Sequence, residues 1–557
     1  MVLYNNAMLA AKLRIDSHLA VKMRDNTVLY ADVYRPETDE KVPVLVIRTP
    51  YGVQRDEGHQ EFFRFAQNGF AVVVQDVRGR FESEGSWHPF RFEASDGYDT
   101  IEWAAAQPWS NGKVGTQGGS YLGNNQWLTA ALAPPSLRAM FPRVASTSIY
   151  HNWAFFGGAF RLSFNFGWAV VRMPHRIMQP QYWHTDSAAG VGLDYATVLL
   201  HLPLNIADLA SSNCVVPHYR EWLKHPNYDP YWSHLSVEDR FDKIAIPVHT
   251  FGGWYDIFLA GTINGFTGMQ GKGAKMTIGP WGHGPSQQFG ELDFGPGAMR
   301  NMHDVELPWF QFHLQGIENG IESTAPVELF YMGANKWKKE DAWPVPGTTF
   351  RPLYLGDKGT LGFVPPPSTG SDSYFYDPKN PAPTMGGNNC CGSPTVAGPV
   401  DQRPLESRAD VMTYTGKIIV QPLAIAGPIS LTLYASTDGP DTDWMVKLMD
   451  VYPDGRAFNL AEGILRARFR DGFETPNLLT PNVTYEFTVD LIGTANVFLP
   501  GHQIRISITS SNFPQFDRNP NTGFELGVSP TLRVAHNTIY YGGKHSSHII
   551  LPVVPLP

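Results

Sequence analysis

Residues 113–123 read KVGTQGGSYLG, and this stretch decides the fold. Residues 113–117 form a short β-prone run, and residues 121–132 read as a helix. A strand that turns sharply into a helix through small residues is where a serine can be held exposed as a nucleophile. Gly118 and Gly119 keep one side of Ser120 small, as a crowded turn requires. On the other side the usual spacing would put glycine at 122. Here Leu122 stands there and Gly123 follows, so the pattern is G-x-S-x-x-G. The start of the helix leaves backbone N–H groups without intrahelical partners, that of Tyr121 among them, where an oxyanion can be held. A glycine-rich turn with an ordinary serine has the same local pattern, so the assignment depends on what surrounds it.

Upstream, residues 28–35 alternate and are rich in β-formers. Residues 42–49 (VPVLVIRT) and 70–77 (FAVVVQDV) are short apolar runs, as in parallel strands buried on both faces. Helices are expected at 58–68 and 92–106. The alternation predicts an α/β core with a parallel sheet covered on both sides. Residues 146–240 break it with aromatics, histidines, prolines and candidate helices such as 189–211, and read as an inserted helical cap. Strands resume at 244–251 and 275–278, and a helix is expected at 299–314. After residue 346 short β-rich runs (350–355, 418–420, 429–435, 443–451, 503–509 and 531–541) alternate with Pro, Gly, Asn and Asp, the pattern of a sandwich or jelly roll. Residues 377–398 are the most loop-like stretch. The expected division is a discontinuous core (1–145 and 241–345), a cap (146–240) and a C-terminal β domain (346–557).

A serine nucleophile needs a base, and the base needs a group that fixes its tautomer. On a sheet of this kind those residues follow in the order Ser, Asp or Glu, His, on loops at strand C-termini. Two loops qualify. Residues 251–256 (FGGWYD) end in Asp256, and residues 278–284 (IGPWGHG) carry His283 between two glycines. With 18 histidines in the chain, most must be structural. His283 is distinguished by its place and order. His545 and His548 (KHSSH) lack nearby carboxylate or cysteine partners and read as a polar loop or sheet edge rather than a metal site. No zinc-protease, P-loop or dinucleotide motif is found, so neither a cofactor nor a metal is expected.

The 557 residues exceed one ordinary core. The formal net charge of −9 is dispersed, which argues against a nucleic-acid partner. No long apolar segment predicts a membrane span. Of the three cysteines, Cys214, Cys390 and Cys391, the last two are adjacent, poor geometry for bridging each other. The small odd number fits a reducing compartment and a cytoplasmic location. Self-association through the cap and C-terminal surfaces is compatible with the sequence.

Several blocks together resemble the cocaine-esterase-like hydrolases, which share their fold with X-prolyl dipeptidyl peptidases and α-amino-acid ester hydrolases. They are RTPYG (48–52), DVRG (76–79), residues 118–123, 252–256 and 279–283, NLAEGILRAR (459–468) and SSNFPQFDRNPNTG (510–523). The family's own elbow is G-x-S-Y-x-G, as here. The resemblance implies an α/β-hydrolase core with an inserted helical cap and a C-terminal β jelly roll, galactose-binding-like in kind. It implies Ser120, Asp256 and His283 as a triad, with the Tyr51 hydroxyl joining the Tyr121 N–H in the oxyanion hole. It also implies an acyl pocket at Trp153, Trp168 and Phe258, though each of these could equally be packing between cap and core. Ile257 and Phe258 follow Asp256, where amino-acid ester hydrolases carry extra carboxylates, and the core starts almost at once, unlike X-prolyl peptidases. Both departures favour an esterase acting on small molecules with an uncharged aromatic or medium-size acyl group. An X-Pro peptidase or amidase, an acyltransferase, and a binding module carried by the jelly roll are the rivals.

Overall fold

Strands buried on both faces must be apolar along their whole length, and Val42–Thr49 and Ala71–Asp76 are buried almost throughout. They lie side by side as the third and fourth strands from one edge of the first sheet. The computed structural model describes residues 12–53, 59–173, 195–212, 215–391 and 395–557. Among the described residues the first sheet has ten strands: β1 (Leu13–Lys22), β2 (Val28–Pro36), β3 (Val42–Thr49), β4 (Ala71–Asp76), β5 (Ser110–Gly119), β6 (Leu137–Arg143), β7 (His249–Gly253), β8 (Lys275–Gly279), β9 (Val327–Tyr331) and β10 (Lys336–Glu340). Their order is β1-β2-β4-β3-β5-β6-β7-β8-β9-β10. From β4 to β9 neighbours run parallel, and the outer pairs are antiparallel. Helices α1 (His59–Gln67), α2 (Glu93–Ala105), α3 (Tyr121–Ala130), α4 (Leu259–Met269) and α5 (Met302–Phe310) connect the strands. This is the expected α/β-hydrolase arrangement. It aligns the C-terminal ends of β5, β7 and β8, the strands that lead into the three candidate loops.

Between β6 and β7 lie short helical segments and a small hairpin, Phe155–Phe156 with Ala159–Phe160. The hairpin docks on the C-terminal part of the chain: Arg466 N donates to Gly157 O (2.8 Å) and Phe160 N to Asp517 Oδ1 (2.8 Å). From Thr349 onward the chain forms a second sheet of 13 strands among the described residues, nearly all paired antiparallel. No helix among the described residues is long and apolar enough to cross a membrane.

The sequence reading needs four corrections. Residues 418–420 are not a strand; only Ile419 bonds to a neighbour, through His502 and Gly501. Residues 195–212 do not continue one helix. Tyr195–Leu199 ends before Pro203, which has no N–H to carry the ladder, and Ala207–Ser212 begins after it; residues 189–194 lie outside the described residues. The expected strand at 244–251 starts only at His249, after Pro247. Cys390 and Cys391 are bonded to each other, contrary to the argument from adjacency. Cys391 has φ +65°, a left-handed backbone that few non-glycine residues adopt. Cys214 lies outside the described residues.

Candidate active site

Ser120 sits between the last residue of β5 and the first of α3, with φ 60° and ψ −126°. A non-glycine residue keeps that conformation only if its surroundings impose it. Here Ser120 N donates to Arg143 O (3.0 Å), and the Ser120 carbonyl accepts from Gly123 N (2.9 Å) and Asn124 N (3.0 Å). The shifted glycine has a physical reason. A Cβ at 123 would lie 2.5 Å from Ala145 Cβ and 3.0 Å from Arg143 O, so α3 passes too close to the end of β6 for a side chain at that residue. Ser120 is half-buried. Its Oγ makes no hydrogen bond among the described residues.

Asp256 and His283 come from loops that follow neighbouring strands β7 and β8. His283 Nδ1 is 2.8 Å from Asp256 Oδ1. Asp256 is wholly buried, and a quarter of the His283 side chain is exposed. Main-chain bonds join the two loops: Trp254 N to Gly279 O (2.9 Å) and Tyr255 N to Trp281 O (3.0 Å). A Cβ on Gly253 would lie 2.0 Å from Trp281 O, so only glycine allows this approach. Among the described residues Asp256 Oδ2 is buried without a hydrogen-bond partner, which leaves Oδ1 and its imidazole as the carboxylate's directed contact there. The bond fixes which ring nitrogen faces the acid and leaves Nε2 to receive a proton.

Tyr121 offers its backbone N–H at the first turn of α3 while its side chain points away. The buried phenol donates to Glu93 Oε1 (2.8 Å) and accepts from Phe90 N (3.1 Å). Burial pushes this phenol well above its ordinary pKa. Glu93 is itself held by Arg48 inside the protein, and burial raises its pKa too. The Tyr51 ring lies 6.5 Å from that of Tyr121, and the Tyr51 hydroxyl accepts a hydrogen bond from Trp168 Nε1 (3.2 Å). The turn bearing Tyr51 is braced from the DVRG block and the residue after it: Asp76 Oδ1 accepts from Val53 N (3.0 Å), and Arg80 Nε donates to Pro50 O (2.8 Å).

Trp153, Trp168 and Phe258 are brought together. Trp153 stacks on Phe258 at 5.0 Å and meets Trp168 edge-on at 5.1 Å, and Phe258 lies 5.7 Å from the His283 ring. All three are buried, and Trp153 Nε1 has no hydrogen-bond partner among the described residues. A cavity of about 350 Å³ lies elsewhere, between the helical segment and the second sheet, lined by Leu199, Asn205, Arg468 and Phe524 among others. It includes none of the site residues inferred from the sequence. His548 Nδ1 contacts only its own turn, at Ser546 O (2.8 Å). Neither it nor His545 gathers a ligand set among the described residues.

Sequence reasoning missed the residues behind Asp256. Asn388, in the loop-like stretch of the C-terminal region, donates through Nδ2 to Trp254 O (3.1 Å) and Asp256 O (2.9 Å). Its own N–H donates to Glu462 Oε1 (2.9 Å), which also accepts from Gln515 Nε2 (2.8 Å). Glu462 lies in NLAEGILRAR and Gln515 in SSNFPQFDRNPNTG, so both blocks converge on the loop that carries the acid. Their presence in the sequence was the available signal. Their meeting point, more than 130 residues from Asp256 in one case, was not readable.

Residues 25–285 match the family model of the X-Pro dipeptidyl-peptidase (S15 family), and residues 319–550 match that of the X-Pro dipeptidyl-peptidase C-terminal non-catalytic domain. The chain is 33% identical to cocaine esterase of Rhodococcus sp. (strain MB1 Bresler), over 97% of this chain and 98% of that one. Among solved structures it is similar to an aminopeptidase from the marine sediment archaeon Thaumarchaeota archaeon (TM-score 0.86, 25% identity, 100% of this chain and 98% of that one). It is equally similar to an α-amino-acid ester hydrolase (TM-score 0.86, 28% identity, the same coverage).

Proposed function

The chain belongs to the cocaine-esterase-like hydrolases of the X-Pro dipeptidyl-peptidase (S15) family, and from that premise we propose that it is a serine esterase working through Ser120, His283 and Asp256. The observation that carries the reading is the 2.8 Å bond from His283 to the buried Asp256, on loops that follow β7 and β8 of the same parallel sheet whose β5 ends at Ser120. His283 Nε2 takes the Ser120 proton as Oγ attacks the ester carbonyl. The oxyanion is held by the Tyr121 N–H and the Tyr51 hydroxyl. His283 returns the proton to the leaving alcohol, then draws one from water to release the acid. Asp256 stays ionised and stabilises the imidazolium. The open geometry of Ser120 Oγ fits this scheme, since such bonds commonly close only around substrate.

Tyr51→Phe should lower kcat by about 10²–10³-fold with little change in KM. The lost hydroxyl acts on a charge present only in the transition state. Steady-state kinetics on an aryl ester checks this, and an unchanged kcat would remove Tyr51 from the oxyanion hole.

The acyl group is aromatic or of medium size and uncharged. The support is the aromatic cluster of Trp153 and Phe258 against His283, and the apolar Ile257 and Phe258 directly after the acid. Aromatic faces favour an acyl ring by stacking. Turnover of p-nitrophenyl acetate, butyrate and benzoate, with an X-Pro anilide alongside, tests the proposal. The expected order puts benzoate first in kcat/KM and the anilide last. Preference for the anilide would replace the esterase reading with a peptidase one, and preference for acetate would remove the aromatic pocket. The same reading keeps the division into core (1–145, 241–345), cap (146–240) and C-terminal domain (346–557), the last supplying the brace behind Asp256.

A further inference from the structure

The cysteine pair that sequence reasoning set aside lies against the proposed base. The sulfurs of Cys390 and Cys391 and a ring nitrogen of His283 all lie within 4.8 Å of one another. The loop is fixed there by groups other than the sulfurs. Two residues before Cys390, Asn388 is hydrogen-bonded to the main chain of Trp254 and Asp256 and to Glu462. Asn389 Nδ2 closes the turn onto Gly386 O (2.9 Å). Breaking the bond between the sulfurs therefore leaves both thiols beside the imidazole. Cys390 is buried, Cys391 is half-buried and His283 is a quarter exposed, so the group is reached from solvent on one side.

Two thiolates and an imidazole are a ligand set for a borderline-soft divalent cation such as Zn²⁺, with water in the fourth position. Zinc–sulfur and zinc–nitrogen bonds of about 2.3 and 2.0 Å place tetrahedral ligands about 3.5–3.8 Å apart, within the separations found here once the sulfurs part. Metal-bound histidines commonly donate their other N–H to a carboxylate, which orients the ring. His283 already does this through Nδ1 to Asp256 (2.8 Å), leaving Nε2 for the metal.

We infer that, when reduced, Cys390 and Cys391 join His283 Nε2 in a binding site for Zn²⁺ or a similarly soft divalent cation, whose occupation silences the hydrolase by taking away its base. The silencing rests on the reading of His283 as base; the binding does not. The reduction balances with a phosphine. The S–S bond breaks, both sulfurs are reduced to thiols with protons from water, and the phosphine leaves as its oxide. On binding, the two thiols release their protons to solvent and the S⁻ and Nε2 lone pairs form the metal bonds.

The experiment uses the full chain carrying Cys214→Ser, so that the pair holds its only cysteines. The protein is reduced with a water-soluble phosphine, desalted and titrated with Co²⁺, whose thiolate charge-transfer absorption reports sulfur ligation without any activity assay. Zn²⁺ is then added while aryl-ester turnover is followed. The expected result is a cobalt band in reduced protein only, displaced by Zn²⁺. It should be lost in Cys390→Ser/Cys391→Ser and weakened at least about tenfold in His283→Ala. Saturating Zn²⁺ should cut turnover of the reduced enzyme at least about tenfold, and leave the oxidised enzyme and the double serine variant active. No band in reduced protein, or one that survives in the double serine variant, would overturn the site. Equal inhibition of oxidised and reduced enzyme would overturn the silencing. If the chain hydrolyses no ester at all, the proposed function fails while the cobalt band still decides the site.

Discussion

Ser120→Ala should lower kcat/KM for a p-nitrophenyl ester by about 10⁵–10⁶-fold while leaving the fold intact. The loss is large because the acyl-enzyme route ends without the hydroxyl; what remains is water attack in an oxyanion hole on bound ester. The fold should survive for local reasons. Ser120 Oγ makes no hydrogen bond among the described residues, so its removal leaves no buried partner unpaired. The strained backbone at φ 60° is held by main-chain bonds to Arg143, Gly123 and Asn124, none of which involves the side chain. Alanine meets the same backbone strain as serine. Circular dichroism and denaturation midpoint should match wild type within the range of an ordinary surface substitution, about 0.5 kcal/mol. Retained turnover in a folded Ser120→Ala protein would end the assignment of the nucleophile.

Asp256→Asn should cost about 10⁴ in kcat with KM nearly unchanged. Asparagine fills the same space. Either orientation of the amide toward His283 Nδ1, however, removes the negative charge that stabilises the imidazolium, and with its NH₂ facing the ring it donates to Nδ1 and selects the wrong tautomer. The surroundings make this a clean substitution. Among the described residues Asp256 Oδ2 has no partner to lose, and the loop is held by its main chain through Asn388, Gly253 and Trp281 rather than by the carboxylate. Pre-steady-state kinetics should show acylation slowed, with the stability of the protein preserved. A loss of only a few-fold would mean that another carboxylate orients His283.

The parts of the fold carried by local pattern were legible. The apolar runs of β3 and β4 announced strands buried on both faces, and the GGS turn announced the strand-to-helix junction. The two loops after β7 and β8 stood out because each joins a β-run to a cluster of glycines. What gives those glycines their positions was not legible. Gly123 is required by Ala145, and Gly253 by the carbonyl of Trp281, and both contacts arise only when separate segments come together. The brace from Asn388, Glu462 and Gln515 was hidden for the same reason, since three distant segments meet behind one loop. At Cys390–Cys391 adjacency was read through ordinary backbone geometry, and the left-handed residue there was not visible in composition or spacing. The late start of β7 and the non-strand at 418–420 show the reverse case, where apolar β-formers alone are insufficient. Pro247 lacks the donor a ladder needs, and residues 418–420 find too few pairing partners.

Trapping the acyl-enzyme tests Ser120 as nucleophile directly. The full chain is mixed with p-nitrophenyl benzoate, quenched in acid within the first turnover and digested for peptide mass mapping. The expected result is a burst of p-nitrophenol approaching one equivalent and a benzoyl mass increment on the peptide that carries Ser120, with neither in Ser120→Ala. Steady ester turnover with no burst and no modified Ser120, or the increment on another residue, would contradict it.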